Sequence, residues 1–125
     1  MNSKTILVVD DDIEMASIME TILKKRGFEV VLAHDGLQAI EKSKNSGIDL
    51  ILLDVRMPFF SGFWFCDAFK QREATKGIPI VMVSGILDED NVQKAYDLGA
   101  AACLRKPFRP EELVEMVEQH LPSVV

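Results

Sequence analysis

Residues 6–12, Ile6-Leu7-Val8-Val9-Asp10-Asp11-Asp12, join an unbroken apolar run to three consecutive carboxylates. Four apolar residues with no polar alternation suit a strand buried on both faces, and the carboxylates mark where it leaves the core. The pattern recurs. Leu50-Ile51-Leu52-Leu53 runs into Asp54, and Ile80-Val81-Met82-Val83 runs into Ser84-Gly85, with Pro79 at its edge. Residues 28–33 read as a further strand, and residues 100–104 as a small-residue strand ending in Arg105-Lys106-Pro107.

Between these runs the apolar period lengthens. Met15, Ile18, Met19, Ile22 and Leu23 recur at helical spacing, and Gly27 ends that helix behind Lys24, Lys25 and Arg26. Leu37, Ala39 and Ile40 mark a weaker helix stopped by Asn45-Ser46-Gly47. Residues 62–71 are helical, and Val92, Ala95, Tyr96 and Gly99 line another stripe. Pro110, with Glu111 and Glu112 in the first turn, opens a last helix expected to bury Leu113, Met116, Val117 and Leu121. Strand and helix therefore alternate five times without a repeat or a linker. That pattern implies an α/β domain with a parallel five-stranded sheet between two helical layers, most simply the three-layer, flavodoxin-like (βα)5 arrangement with strand order 2-1-3-4-5. We expect one domain over residues 1–125, its core at about residues 4–121, with no output domain in this chain.

The chain has 125 residues, 48% of them hydrophobic and 27% charged, which suits one globule with a sizeable core. Asp and Glu outnumber Lys and Arg by 20 to 14, for a net charge of −6, so direct nucleic-acid binding by this domain is not expected. No segment is long and apolar enough to suggest a membrane span. Cys66 and Cys103 are too few for a disulfide framework and lack metal-ligand spacing, and a reducing, cytoplasmic compartment is expected.

Strand order 2-1-3-4-5 gathers four strand ends on one rim. Asp10 and Asp11 then stand beside Asp54, with Ser84 and Lys106 close by. Asp12 is best placed to cap the following helix. Three clustered carboxylates raise one another's pKa unless a cation neutralises them, and a single lysine is not enough. Hard oxygen donors with no nearby histidine or thiolate favour Mg2+. A metal, a lysine and a small hydroxyl converging on one carboxylate make a site for a phosphoryl group carried by that carboxylate.

Val8-Val9-Asp10-Asp11, Leu53-Asp54 with Met57-Pro58, Val83-Ser84-Gly85 and Lys106-Pro107-Phe108 together resemble the signature of the response-regulator receiver domain of two-component signalling. The resemblance spans nearly the whole chain. It implies that Asp54 accepts a phosphoryl group from a phosphohistidine on a histidine kinase or histidine phosphotransfer protein. It also implies that Asp11, Asp54 and the backbone carbonyl of Arg56 ligate Mg2+, with Asp10 acting through a bound water. Ser84 would follow the phosphoryl group, Lys106 would pair with it, and a downstream protein effector or fused output domain would read the result. Such a domain catalyses its own phosphorylation and dephosphorylation and is no enzyme on an external substrate.

Two features depart from the family pattern. Cys103 stands where receivers often carry a switch aromatic, which puts the usual hydroxyl–aromatic coupling through Ser84 in doubt; a small buried thiol is the expectation. Six of the nine aromatics (Phe59, Phe60, Phe63, Trp64, Phe65 and Phe69) fall within residues 59–69. Phe65, Cys66 and Phe69 belong in the core, whereas Phe59, Phe60 and Trp64 are candidates for a partner surface beside the site. His34 and His120 read as surface histidines, Asp88-Glu89-Asp90 as a negative first helical turn, and residues 70–76 as a solvated connection. The competing reading is a receiver-like interaction module that does not cycle phosphate. A small phosphotransferase lacks room for a substrate cap, and FMN binding lacks a phosphate cradle.

Overall fold

The computed structural model describes residues 3–44, 47–56 and 61–121. Along the chain run β1 (Thr5–Val9), α1 (Ile13–Lys25), β2 (Glu29–Ala33), α2 (Gly36–Ser43), β3 (Leu50–Asp54), α3 (Gly62–Gln71), β4 (Ile80–Ser84), α4 (Glu89–Asp97), β5 (Ala102–Arg105) and α5 (Pro110–His120). The five strands form one parallel sheet in the order β2-β1-β3-β4-β5, as the alternation of runs and stripes implies.

Strand periodicity divides the core in two. Leu7, Val9, Ile51, Leu53, Ile80 and Met82 pack with Ala39, Phe65, Cys66, Phe69 and Ala95, from the face covered by α2, α3 and α4. Ile6, Val8, Leu50, Leu52, Val81 and Val83 pack with Ala16, Met19, Leu23, Leu113 and Val117, from the face covered by α1 and α5. The unbroken apolar runs thus feed both layers. All five residues of β3, and all five of β4, are buried. Burying a side chain such as Leu52 or Phe69 contributes about 1.5–3 kcal/mol.

Helix ends are set by local chemistry. Asp12, Asp35, Ser61 and Asp88 each accept a hydrogen bond from the backbone N–H three residues on, worth about 1 kcal/mol per cap. Asp12 is therefore a cap, as read from the sequence, and Glu89 and Asp90 fill the first turn of α4. Gly27 and Gly99 leave α1 and α4 at φ of 90° and 100°, left-handed positions that favour glycine. Each starts a paired return: Gly27 and Phe28 donate to Lys24 and Leu23, and Gly99 and Ala100 donate to Tyr96 and Ala95.

Several surface assignments change. Ile18 and Tyr96 fit their helical stripes yet are exposed, each at the edge of the stripe beside the buried Met19 and Ala95. Leu37 also points to solvent. Residues 70–76 are not a simple solvated connection. The Lys70 ammonium donates to the carbonyls of Lys76 (3.1 Å) and Ile78 (2.8 Å), and the buried Thr75 hydroxyl donates to Phe69 O at 2.6 Å. Partial burial accordingly lowers the Lys70 pKa. His34 is half-buried rather than a surface residue, and its Nδ1 is enclosed without a hydrogen-bond partner. Cys66 is fully buried, which pushes its thiol up to about 11. Among the described residues, no helix is long and apolar enough to cross a membrane.

Candidate functional site

The parallel order places the carboxyl ends of β1, β3, β4 and β5 along one rim, and the polar residues that follow the apolar runs meet there. Asp10, directly after β1, is completely buried. Its N–H donates to Ala33 O at 3.1 Å, which ties it to β2. Its carboxylate accepts the Asp12 N–H at 2.9 Å on one oxygen and the Lys106 ammonium at 2.9 Å on the other. Asp11, the next residue, is exposed.

Asp54 closes β3 and is 7% exposed. Its Oδ1 accepts the Arg56 N–H at 3.2 Å and lies 3.8 Å from the Lys106 ammonium. Lys106 therefore sits between two aspartates, closer to Asp10. Oxygens of Asp10, Asp11 and Asp54 all come within 4.8 Å of one another. Burial, then Asp10, drive the Asp54 carboxyl up to about 7, while Lys106 and the Arg56 N–H oppose the rise and Asp11 adds to it. One ammonium does not neutralise this cluster. A hard divalent cation suits it, because the donors are all carboxylate oxygens and one of them is open to solvent.

Ser84 ends β4 and is buried. Its hydroxyl accepts the Ile86 N–H at 3.0 Å, and its carbonyl accepts the Lys106 N–H at 2.9 Å. Ser84 and Lys106 are thus linked through the backbone of neighbouring strands. A methyl group built on Gly85 would have only Lys106 O near it, at 3.9 Å, so this position has ordinary space.

The structure brings Asp10, Asp11, Asp54, Ser84 and Lys106 together. The Arg56 side chain is exposed, and its N–H faces Asp54. Cys103 is half-buried on β5, less enclosed than expected, and packs against the core on the α2–α4 face. Trp64 is 50% exposed on α3, its ring edge-on to Phe65 at 5.0 Å between centroids. Phe59 and Phe60 lie outside the described residues.

Gly62 was not legible as a site residue. Its N–H donates to Val55 O at 2.8 Å, and a Cβ at this position would fall 2.0 Å from the Asp54 carbonyl oxygen. The start of α3 therefore rests directly on the backbone of the acidic strand. A glycine shortly after Asp54 was the only sequence signal. Gly62→Ala is expected to destabilise the protein by about 1–3 kcal/mol, since backbone, not a flexible side chain, must give way. Urea denaturation measures this, and an unchanged midpoint would show that the contact relaxes freely.

A family model for the response regulator receiver domain matches residues 6–118. The chain belongs to that family. This receiver domain is 34% identical over 121 residues to the protein PilG of Pseudomonas aeruginosa, covering 94% of this chain and 87% of PilG. It is 36% identical over 116 residues to the DNA-binding response regulator MtrA of Mycobacterium tuberculosis. That match covers 93% of this chain but 50% of MtrA, so the receiver domain spans about half the length of such relatives. The chemotaxis protein CheY4 of Vibrio cholerae superposes with a TM-score of 0.92 at 32% identity, over 96% of this chain and 100% of that one. The strand order agrees with this membership, which is consistent with the phospho-accepting, two-component signalling class and does not favour a module that never cycles phosphate.

Proposed function

We propose that Asp54 is the phosphoryl acceptor of this receiver domain, taking the group from a phosphohistidine of a histidine kinase or histidine phosphotransfer protein. The observation that carries the assignment is the placement of the Lys106 ammonium between Asp10 and Asp54 within a three-carboxylate cluster. Asp11, Asp54 and the Arg56 carbonyl would hold Mg2+, with Asp10 acting through a bound water. The cation neutralises carboxylate and phosphoryl oxygens when bound.

The remaining chemistry belongs to the chain. Asp54 attacks phosphorus through one carboxylate oxygen, forming an O–P bond as the P–N bond to the donor imidazole breaks. The departing electron pair stays on that nitrogen. Lys106 stands near enough to follow the charge that moves onto the phosphoryl oxygens, and the Ser84 hydroxyl has a proton to donate to one of them. Burial of Asp54 limits water access to the acyl phosphate, and later attack of water on phosphorus breaks the O–P bond, returning the carboxylate and releasing inorganic phosphate.

The phosphorylated domain acts through a protein effector or an output domain, and the half-exposed Trp64 indole offers a partner-facing group on α3. We place this activity in the cytoplasm, in keeping with two free thiols. Acetyl phosphate or phosphoramidate with Mg2+ should add one phosphoryl group to the intact mass. Asp54→Asn should show no addition, and omission of Mg2+ should nearly abolish it in the parent. Equal addition to the parent and to Asp54→Asn would place the acceptor elsewhere.

A further inference from the structure

We propose that Arg105 is a positioning residue that holds the β4–α4 connection in its resting arrangement, a coupling role left open by Cys103. The inference rests on the reading of Asp54 as phosphoryl acceptor. Along β5, Ala102 and Leu104 face α1 and α5, whereas Cys103 packs toward α2–α4. Alternation puts Arg105 on the same face as Cys103. Its guanidinium reaches across to donate to the carbonyl of Leu87.

That acceptor lies in a short and closely tied segment. Ser84, at its start, accepts the Ile86 N–H on its hydroxyl. Asn91 Nδ2 donates to Ile86 O at 3.3 Å, and the buried Leu87 side chain anchors the middle. Asp88, at its end, caps α4. Arg105 also immediately precedes Lys106, whose N–H is bonded to Ser84 O. One side chain therefore bridges the strand that carries the lysine and the segment that carries the hydroxyl.

In the resting arrangement the Ser84 oxygen is turned back on the Ile86 N–H. A phosphoryl group on Asp54 recruits Ser84, and residues 85–88 must adjust to release it. The Arg105–Leu87 bond exists in the resting arrangement and opposes that adjustment. Removing it shifts the balance toward the phosphorylated form.

The test is a beryllofluoride titration at saturating Mg2+, followed by NMR at the amides of Ile86, Leu87 and Ala95. Arg105→Met is expected to bind this phosphoryl analogue roughly three- to tenfold more tightly than the parent, as loss of one hydrogen bond from a solvent-exposed side chain allows. Arg105→Lys, which keeps a donor, should return most of the way to the parent value. Mg2+ affinity measured alone should be the same in all three, since Arg105 touches no carboxylate of the cluster. A residue that merely braced the fold would lower stability without raising analogue affinity. Unchanged or weaker binding by Arg105→Met would overturn the proposal. A parent that binds no beryllofluoride at all would instead overturn the assignment of Asp54, and the inference with it.

Discussion

Lys106→Met is expected to destabilise the domain by about 3 kcal/mol at pH 8 when divalent cations are chelated. The ammonium is the counter-ion of a completely buried Asp10 and the nearest cation to Asp54. Without it, two enclosed carboxylates face each other beside Asp11. Asp54, raised by burial and by Asp10 and now without the opposing ammonium, then holds its proton to higher pH in the native state than in the unfolded chain. The native state consequently binds more protons, and its stability falls as pH rises. The deficit relative to the parent should therefore shrink at pH 5, where protonation relieves the unpaired charge. Mg2+ should recover part of the loss at pH 8, because binding to the native state alone adds stability. Urea titrations at the two pH values, with chelator and with Mg2+, measure all three effects. A deficit independent of pH would mean that Lys106 contributes through packing of its stem and not through charge.

Asp54→Asn should act in the opposite direction. The Asp54 carboxyl stands at about 7 in the folded protein against an ordinary value of 3.8. Between those limits the folded parent keeps a proton that the unfolded chain has released, so parent stability declines as pH climbs through the window. It levels off above about 7. The amide has no such proton and no such decline. Below pH 3.8 the two proteins should be similarly stable. At pH 8, without divalent cations, Asp54→Asn should be the more stable by up to about 4 kcal/mol. Added Mg2+ should narrow the gap by stabilising the parent more than the variant. Thermal melting from about pH 3.5 to pH 8 checks the divergence, and parallel curves would show that Asp54 is not held against its own burial.

The fold was legible because doubly buried strands leave a coarse mark. Ile6–Val9, residues 50–53 and residues 80–83 have no polar face to disguise them, and carboxylates or a hydroxyl follow each. Strand order alone then implies that Asp10, Asp11, Asp54, Ser84 and Lys106 share one rim. Helical faces were read less well. Ile18 and Tyr96 satisfy the apolar period, but each sits about 100° round its helix from a buried neighbour, Met19 and Ala95, and spacing does not rank residues that close on one face. Lys70 looked solvated because its partners are backbone carbonyls, which residue identity does not announce. The same applies to Gly62 and Arg105. A Cβ on the first would run into the Asp54 carbonyl and the side chain of the second reaches the Leu87 carbonyl, contacts fixed only by the tertiary path of the backbone.

The seat of the reactive carboxylate has its own consequence. β3 is the middle strand, flanked by β1 and β4 and enclosed along its entire length. Such a strand works as an anvil: it stays put when struck, because any flexing would tear hydrogen bonds on two sides and open voids in both apolar layers at once. Information written at its tip has to leave sideways, through the connections at the rim, and the body of the sheet serves as the fixed reference against which their displacement is read.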